Sequence, residues 1–568
     1  MCIDRQFPGA HKALLAALLL ASSPLAGAAG PVVPAIPNAG SILQQITPVA
    51  PPEPSSADTG LRIAPPSGIT TAAGAAFLVR TLSISGNTLF DTATLHALVS
   101  DSEGKELTLS QLDELAGRIT DYYHNQGYPL ARAIIPAQTI SGGVVRMEII
   151  EARYGKINLD NSSRVDDPLL AATLSPLQAG QMVEQNALDR ALLLLSDVPG
   201  VAVAATLQPG DAVGTSDLLV ATTPTAAVTG NVTLNNYGSS YTGYTRIAGT
   251  VNVINPLHHG DVLTLSGLSS GSDLTNYARV AYESLLNGQG TRMGGAYSAL
   301  RYVLGGSLSS LDGHGNAEVA SLWAKHPFLR SRKSNLYGQL DYDYLNLRDQ
   351  YDVGNIEIDR HLNNWTATLS GDIRDDFVSG AIASWNLAWT AGQLSFDDPS
   401  AQAIDAATAR TEGGFSKWNV NLARLQALSD RNGLYLAFFG QWANSNLDSS
   451  QKMIAGGPYT VRAYALGAVS GDTGYLGTAE FRRALGTALE GQWEGVLFVD
   501  SAHVTVNTNP WVNTTNSATL SGAGAGLNWA GPNEWSARLY VAATIGAIPT
   551  LVGNTASGRA WVQVGKTF

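Results

Sequence analysis

Apolar and polar residues alternate in short segments along the whole C-terminal part of the sequence, residues 228–568. In the first segment Val228, Val232 and Leu234 occupy one set of alternate positions, and Thr or Asn residues occupy the other set. A period of two places these sets on opposite faces of a β-strand. We place about 16 such strands, the last at residues 559–568, and an even number is typical of a closed bacterial barrel. A soluble sandwich, with its apolar faces turned inward, would show the same alternation.

Two compact α/β segments precede the alternating region. Residues 77–151 predict the order β-α-α-β-β, and residues 154–222 predict the same order again. In the first segment Thr108 and Gln111 have the spacing of a capping box. The helix that follows has apolar residues at helical spacing: Leu112, Leu115, Ala116, Ile119 and Tyr123. Such a repeat of one small module in front of a β region indicates a multidomain architecture.

The N-terminal residues have the pattern of a secretory signal. Arg5 and Lys12 precede an apolar stretch at residues 13–21, and Ala-Gly-Ala at residues 26–28 is a cleavage site of small residues. We therefore expect a signal peptide at residues 1–28, with a buried helix as the alternative. Residues 29–75 are rich in Pro, Ala, Ser and Gly, which predicts a linker. Residues 39–46 within it could form two helical turns, which are marginal in water and need a surface to pack on.

Composition narrows the class of protein. Only 14% of the 568 residues are charged, and the formal net charge of -12 argues against a nucleic-acid partner. Outside the N-terminus no apolar run is long enough for a membrane-spanning helix, which excludes a helical membrane bundle. The only cysteine, Cys2, lies in the expected signal peptide, so we expect no disulfide in the mature chain. These properties fit an exported β protein of the Gram-negative outer membrane.

Candidate catalytic and cofactor sites are not supported by the sequence. It contains no glycine-rich phosphate loop ending in Lys-Ser or Lys-Thr, and no Ser/His/Asp arrangement stands out at a recognisable spacing. The neighbours His258 and His259 would point to opposite faces of a strand, so they do not indicate a metal site. We therefore expect no enzyme activity, no cofactor and no bound metal.

Several motifs taken together resemble those of the outer-membrane transporters of two-partner secretion, the haemolysin-activator type within the Omp85 superfamily. The matching segments are residues 86–88 (Gly-Asn-Thr), 127–133 (Gly-Tyr-Pro-Leu-Ala-Arg-Ala), 197–201 (Asp-Val-Pro-Gly-Val), 255–261, 326–332, 456–464 (Gly-Gly-Pro-Tyr-Thr-Val-Arg-Ala-Tyr) and 498–502 (Phe-Val-Asp-Ser-Ala). The resemblance covers essentially the whole mature chain. It implies a plug helix and linker at residues 29–75, a POTRA module at 76–151, a second at 152–225, and a 16-stranded membrane β-barrel at 226–568.

The resemblance also implies where the functional residues lie. The segment at 456–464 looks like the tip of the superfamily's sixth extracellular loop, here about residues 447–472, which joins strands 11 and 12 and folds back into the lumen. Arg462 would then pair with Asp500 of strand 13, and a solvated loop arginine is the alternative. Ala463 stands where the usual residue is glycine, and it would be strained if that position needed a positive φ. The other expected lumenal residues are Val461, Tyr464, Phe498 and Glu480.

Three further sites are expected. A plug helix would use Ser41, Ile42, Leu43 and Ile46, with an unstructured linker as the alternative. An exposed strand edge in the first module could bind the exported protein by strand addition, and the candidate residues are Ala131, Arg132, Ala133, Ile134 and Ile135. Leu112 and Ile119 beside it are expected to form the module core instead. The aromatic terminal residue, Phe568, fits a barrel-assembly signal.

The function implied by this resemblance is export of one partner exoprotein, such as an adhesin, a haemolysin or a contact-dependent toxin, without ATP. The expected partners are that exoprotein, bound through the POTRA modules, outer-membrane lipids, periplasmic chaperones and the barrel-assembly machinery. An outer-membrane insertase of the same superfamily is the main alternative. A solute porin is disfavoured, because a porin needs neither modules nor a plugging loop.

Overall fold

The computed structural model describes residues 36–46, 54–63, 75–553 and 555–568. The predicted signal peptide lies outside these residues. The first element is a helix, α1 (Ala39–Ile46), and a short strand, β1 (Leu61–Ile63), follows it. Among the described residues, no helix is both long and apolar enough to cross a membrane.

The first α/β module is built on two small sheets. Its elements are β2 (Phe77–Val79), β3 (Thr81–Ser85), α2 (Thr92–Ala97), β4 (Lys105–Leu107), α3 (Leu109–Asn125), β5 (Arg132–Ile134) and β6 (Val144–Ile150). Strands β3, β6 and β5 form one sheet in that order, and β2 pairs with β4 in the other. The single strand predicted at the start of the module is thus two strands with different partners, and β4 was not predicted.

Helix α3 has the predicted start and the predicted buried face. Thr108 and Gln111 form the reciprocal capping box, and the five apolar positions named above are all buried. Behind the helix, the carboxylate of Glu151 accepts hydrogen bonds from Thr88, from the backbone of Leu89 and from the hydroxyl of Tyr123. Burial raises the pKa of Glu151, but these hydrogen bonds outweigh it and hold the pKa below its usual value. The Gly-Asn-Thr turn is therefore tied to the module core through Glu151.

The second module contains one four-stranded sheet and two helices. Its elements are β7 (Arg153–Asn161), α4 (Asp167–Leu174), α5 (Gln185–Ser196), β8 (Val201–Pro209) and β9 (Thr215–Pro224). The strand order is β1-β8-β9-β7, so β1 from the N-terminal segment adds a parallel strand at one edge of the sheet. The two helices pack their leucines into one core, which includes Leu170, Leu188 and Leu192.

Sixteen strands form a closed antiparallel barrel, β10–β20 and β23–β27. In the first half these are β10 (Val228–Asn235), β11 (Arg246–Ile254), β12 (Val262–Ser270), β13 (Thr275–Leu285), β14 (Arg292–Val303), β15 (Gly313–Arg330), β16 (Ser334–Tyr351) and β17 (Ile356–Asp375). In the second half they are β18 (Ala381–Phe396), β19 (Gly413–Ser429), β20 (Asn432–Ala443), β23 (Thr473–Ala488), β24 (Gly491–Thr505), β25 (Ser517–Ala530), β26 (Trp535–Thr544) and β27 (Gly558–Thr567). The predicted fold class and strand number are confirmed.

The apolar side chains of the barrel strands point outward. Val228, Val232 and Leu234 of β10 are exposed, as is Ile247 of the next strand. Exposed tryptophans lie on the outer face of four later strands, at Trp365, Trp389, Trp418 and Trp442. An outward apolar surface with aromatic side chains is the arrangement of a barrel that lies in lipid, and it excludes the soluble sandwich.

The second module contacts one end of the barrel, which we call the module end; the opposite end is the far end. The backbone N–H of Asp166 in the second module donates to the carbonyl of His258, which lies in the turn between β11 and β12. In the turn between β15 and β16, Arg332 forms an ion pair with Asp189 of α5 at 2.6 Å. At the far end, the loop between β18 and β19 carries a helix, α6 (Pro399–Ala407).

Candidate functional site in the barrel lumen

The loop between β20 and β23 turns back into the barrel from the far end. It contains a small hairpin of β21 (Met453–Ala455) and β22 (Val469–Gly471). At its tip, the side chains of Val461, Ala463 and Tyr464 are fully buried, in one cluster with residues of the barrel wall. β20 and β23 are the eleventh and twelfth barrel strands, the two strands between which the resemblance implied this loop.

Arg462 at the loop tip binds the carboxylate of Asp500 on β24. Its Nε and Nη2 donate to the two oxygens of Asp500 at 2.9 and 2.7 Å. The backbone N–H of Arg462 donates to the same carboxylate at 3.1 Å. Such a bidentate pair is both strong and directional. Asp500 is completely buried and Arg462 is only 5% exposed, so this arginine is not a solvated loop residue.

Two more groups complete the surroundings of the guanidinium. Its Nη1 donates to Glu480 of β23 at 2.7 Å, and Glu480 also accepts two hydrogen bonds from Arg482. The ring of Phe498 lies under the guanidinium carbon, at 3.5 Å from the ring centroid, a distance that allows a cation–π interaction. Positive and negative charges thus alternate from Asp500 through Arg462 and Glu480 to Arg482.

Ala463 is not strained at its position. Ala463 is not among the described non-glycine residues that have a positive φ, so its backbone does not require a glycine. The position that requires a glycine is instead Gly522 of β25, on the barrel wall opposite Ala463. A Cβ at Gly522 would overlap the Cβ of Ala463. The methyl group of Ala463 therefore fills the space that the glycine of the barrel wall leaves open.

Helix α1 lies inside the barrel near the far end. Ile42 and Leu43 are buried, and Ile46 packs beside them half-buried. They pack against an apolar part of the inner wall, formed by Leu300, Tyr302, Leu304, Leu347, Leu362 and Leu394. This wall supplies the surface that so short a helix needs, because packing of an apolar face contributes most of the stability of a helix in a protein.

The N-terminus of α1 is fixed by three polar contacts. Ser41 and Asn38 cap each other, with Ser41 N donating to Asn38 Oδ1 at 3.0 Å and Asn38 N donating to Ser41 Oγ at 2.9 Å. The N–H of Ala39 donates to Asp349 of the barrel wall at 2.7 Å. A carboxylate at this end also interacts favourably with the helix dipole. Ser449 of the lumenal loop donates to Asn38 as well, at 2.8 Å.

A second buried arginine connects the helix, the wall and the loop. Arg360 of β17 donates to Asp349 at 2.7 Å and to Asp448 of the loop at 2.6 Å. Asp349 therefore binds both this arginine and the helix N-terminus. Arg360, Asp349 and Asp448 were not predicted from the sequence. A signal was present in the Asn-x-x-Ser spacing of the helix cap and in charged residues at inward positions of two strands, but neither indicates which charges pair.

The segment that follows α1 is bound at the module end. Ser55 N donates to Asp372 at 3.0 Å, and the carbonyl of Ser56 accepts from Arg330 at 2.8 Å. Arg330 has no exposed side-chain surface and forms a bidentate pair with Asp197 of the second module, at 2.7 and 2.8 Å. One arginine thus joins the linker, the barrel and the module.

The candidate strand edge of the first module is partly covered. Strand β5 pairs with β6 on one side and lies at the edge of its sheet, with Arg132 exposed and Ala133, Ile134 and Ile135 half-buried. The N–H of Ala133 donates to the hydroxyl of Thr120 at 3.0 Å. Ala131 is buried in the module core, as are Leu112 and Ile119, so its side chain is not part of the exposed edge.

Comparison with known proteins agrees with this architecture. The family model "POTRA domain, ShlB-type" matches residues 77–152, and the model "Haemolysin secretion/activation protein ShlB/FhaC/HecB" matches residues 214–529, more than half of the chain. The heme/hemopexin transporter protein HuxB of Haemophilus influenzae is 28% identical over 481 residues, which is 84% of each chain. The outer membrane transporter CdiB of Escherichia coli is 25% identical over 486 residues, 80% of this chain and 77% of that one.

Solved structures show the same fold. CdiB from Escherichia coli superposes with a TM-score of 0.68 at 20% identity, covering 89% of this chain and 93% of that chain. BamA from Haemophilus ducreyi, without its first three POTRA domains, gives a TM-score of 0.53 at 14% identity, covering 87% and 100%. With its barrel, its ShlB-type module and a family match over most of the barrel, the chain belongs to the ShlB/FhaC/HecB haemolysin secretion/activation proteins, the outer-membrane transporters of two-partner secretion.

Proposed function

We propose that this transporter exports one large partner protein through its barrel, and that α1 and the loop tip keep the barrel closed until the partner arrives. The observation that carries the proposal is the double occupancy of the lumen. Two separate segments lie inside the barrel, and each is held at a buried arginine–carboxylate pair. A solute porin would need neither segment.

The loop tip acts as one closing element. Three hydrogen bonds to Asp500 fix Arg462, and the bond to Glu480 adds a fourth. Because both carboxylates are buried, the loop leaves only when these charges find new partners or water. Arg462→Ala leaves these carboxylates without the partner that returns the loop to its position, so we expect it to abolish export while the barrel still assembles. Normal export by a folded Arg462→Ala variant would contradict this role.

Helix α1 acts as the other closing element, a plug. Deleting residues 31–55 should raise the ion conductance of the protein in planar bilayers, because the helix that packs on the apolar inner wall would no longer occupy the lumen. The point variant Ile42→Asn with Leu43→Asn should act in the same direction, and Ile36→Asn is the matched control because Ile36 is 39% exposed. Equal conductance of the plug variants and the wild type would count against plugging.

The periplasmic modules capture the partner before export. The edge of β5 can accept an extended chain as an added strand, with Arg132, Ala133, Ile134 and Ile135 beside it. A second edge, that of β8, is occupied by β1 of the linker. An incoming strand at this second edge would have to displace β1, which would loosen the segment that carries α1. Binding of the partner's N-terminal domain to the full-length transporter, and its loss in an Ala133→Pro variant, tests the β5 site.

Export in this proposal uses no nucleotide. The sequence carries no phosphate-binding loop of the Gly-rich type, and folding of the partner outside the cell would draw it through the pore. The partner itself is expected to be an adhesin, a haemolysin or a contact-dependent toxin. Its identity should be read from the neighbouring gene, which we expect to encode a long β-helical exoprotein.

Depletion of the protein distinguishes export from insertion of barrel proteins. If the protein is a transporter, depleted cells should lose one exoprotein from the culture medium. If it is an insertase, depleted cells should lose many barrel proteins from the outer membrane. The insertase function is not favoured, because the family model that matches is that of secretion proteins. Loss of many barrel proteins on depletion would overturn the export proposal.

A further inference from the structure

The junction between the first barrel strand, β10, and the last, β27, is the shortest in the barrel. The two strands pair over five residues, from Asn231 with Thr567 to Asn235 with Gln563. Among the described barrel strands, the other junctions pair over eight to eighteen residues. On the module-end side of these five pairs, Gly230 and Phe568 exchange two backbone hydrogen bonds at 2.8 and 2.9 Å. Beyond the ladder on the far side, one more backbone hydrogen bond crosses the junction, from the N–H of Asn236 to the carbonyl of Val562 at 3.2 Å. The backbone therefore closes this junction only from the module end up to Asn236.

Side chains take over where the ladder stops. The amide of Asn236 donates to the carbonyl of Ala560 at 3.0 Å and accepts from the N–H of Val562 at 2.8 Å. These bonds imitate those of one further pair in the ladder. Closer to the far end, the first residues of β27 pair with β26 but not with β10. An edge of this kind depends on side chains for its closure.

The loop tip contacts both sides of the same junction. The buried ring of Tyr237 packs edge-to-face against Trp561 of β27, at 5.9 Å, and against Tyr459 of the loop, at 5.5 Å. The indole N–H of Trp561 donates to the carbonyl of Arg462 at 2.7 Å. Tyr237 and Trp561 are 4% and 3% exposed, so the contact between them is desolvated, whereas Tyr459 of the loop is 53% exposed. Residues that follow β10, residues of β27 and the loop tip thus form one aromatic cluster.

We propose that this cluster, the seam latch (Asn236, Tyr237, Tyr459 and Trp561), makes closure of the barrel seam depend on the position of the lumenal loop. When the loop leaves the lumen, Tyr459 and the Arg462 carbonyl leave with it. The far-end half of the seam then keeps only the backbone and side-chain hydrogen bonds of Asn236 and one ring contact, and it opens. This widens the exit of the pore when an exported chain has to pass. The inference rests on the proposed function, in which the loop moves.

Amide hydrogen exchange of the purified full-length protein in detergent tests the latch. Trp561→Phe keeps a ring but removes the indole bond to the loop. Loss of one such hydrogen bond should make the amides at residues 228–236 and 558–568 exchange about fivefold to tenfold faster. Trp323→Phe is the control, because its indole makes an equivalent 2.8 Å bond to Glu283 away from the seam. In that control the seam amides should exchange as in the wild type.

Three more variants make the outcome decisive. Asn236→Ala removes only the amide bridge and should also speed exchange at the seam. Arg462→Ala should do the same, and a disulfide between cysteines at Asn235 and Gln563, a register pair, should restore slow exchange. Seam exchange that stays at the wild-type rate in Trp561→Phe and Arg462→Ala, or that rises equally at all junctions, overturns the proposal. If Arg462→Ala stops export with seam exchange unchanged, the latch alone is wrong. If seam exchange rises and export continues at the normal rate, the role of the loop tip in the proposed function is wrong.

Discussion

In the proposed function, the pair of Arg462 and Asp500 should determine how often the loop tip leaves its position in the lumen. Truncation of Arg462 to alanine removes two side-chain hydrogen bonds to Asp500 and one to Glu480, keeps the backbone bond to Asp500, and leaves both carboxylates buried without the guanidinium. Removing one partner of a buried ion pair costs about 3–5 kcal/mol. Both carboxylates are less than a tenth exposed, so solvent screening is small. The lower figure of ~3 kcal/mol corresponds to roughly a 150-fold rise in the undocked loop population.

A buried cysteine next to the arginine can report this population. Val461 has no exposed surface and is close in size to cysteine, so a thiol at this position reacts only when the loop has moved. With Cys2 replaced by serine, Val461→Cys is the only thiol in the chain. The rate of its modification by a membrane-impermeant thiol reagent should rise roughly 150-fold when Arg462→Ala is added.

The matched control is Arg482→Ala. Arg482 donates to the same Glu480 but does not touch the loop, so the labelling rate should change less than about fivefold. Combining Arg462→Ala with Asp500→Ala should raise the rate by less than the product of the single effects, because the pair is already broken. A labelling rate in Arg462→Ala within threefold of the Val461→Cys parent would refute the reasoning.

Three further predictions concern close contacts of the closing elements. Gly522→Ala should displace the loop tip and raise thiol labelling, and adding Ala463→Gly should reverse this because it removes the overlapping methyl group; an additive double variant would contradict the packing. Asp349→Asn should weaken the bond to the N-terminus of α1 by about 1–2 kcal/mol and increase bilayer conductance, and unchanged conductance would show that the apolar wall alone holds the helix. Gly60→Ala should detach β1 from β8, because Gly60 has a φ of 60° and its Cβ would overlap a carbonyl of β8. Proteolysis near residues 54–63 should then become faster, whereas the exposed control Arg62→Ala should be cut like the wild type.

The barrel could be predicted because its signal is local: alternation with period two marks each strand and its outer face. The pairing of Arg462 with Asp500, 38 residues apart, came from the resemblance of two motifs to a known family and not from the residues alone. The contact of Ala39 with Asp349 joins residues 310 apart, and nothing in either neighbourhood indicates the other. Strand β1 was missed for a similar reason. Its three residues carry no readable periodicity, and β8 supplies its edge only in the folded protein.

The two anchors of the N-terminal segment limit where α1 can go. Only seven residues lie between Ile46, the last residue of the helix, and Pro54, next to the Ser55 anchor. Eight peptide links reach at most roughly 28 Å. While Ser55 and Ser56 stay bound at the module end, the helix can descend through the pore toward the periplasm, but it cannot travel far beyond the far end. Outward ejection would first require Arg330 and Asp372 to release the linker, so the length of this tether favours withdrawal on the periplasmic side.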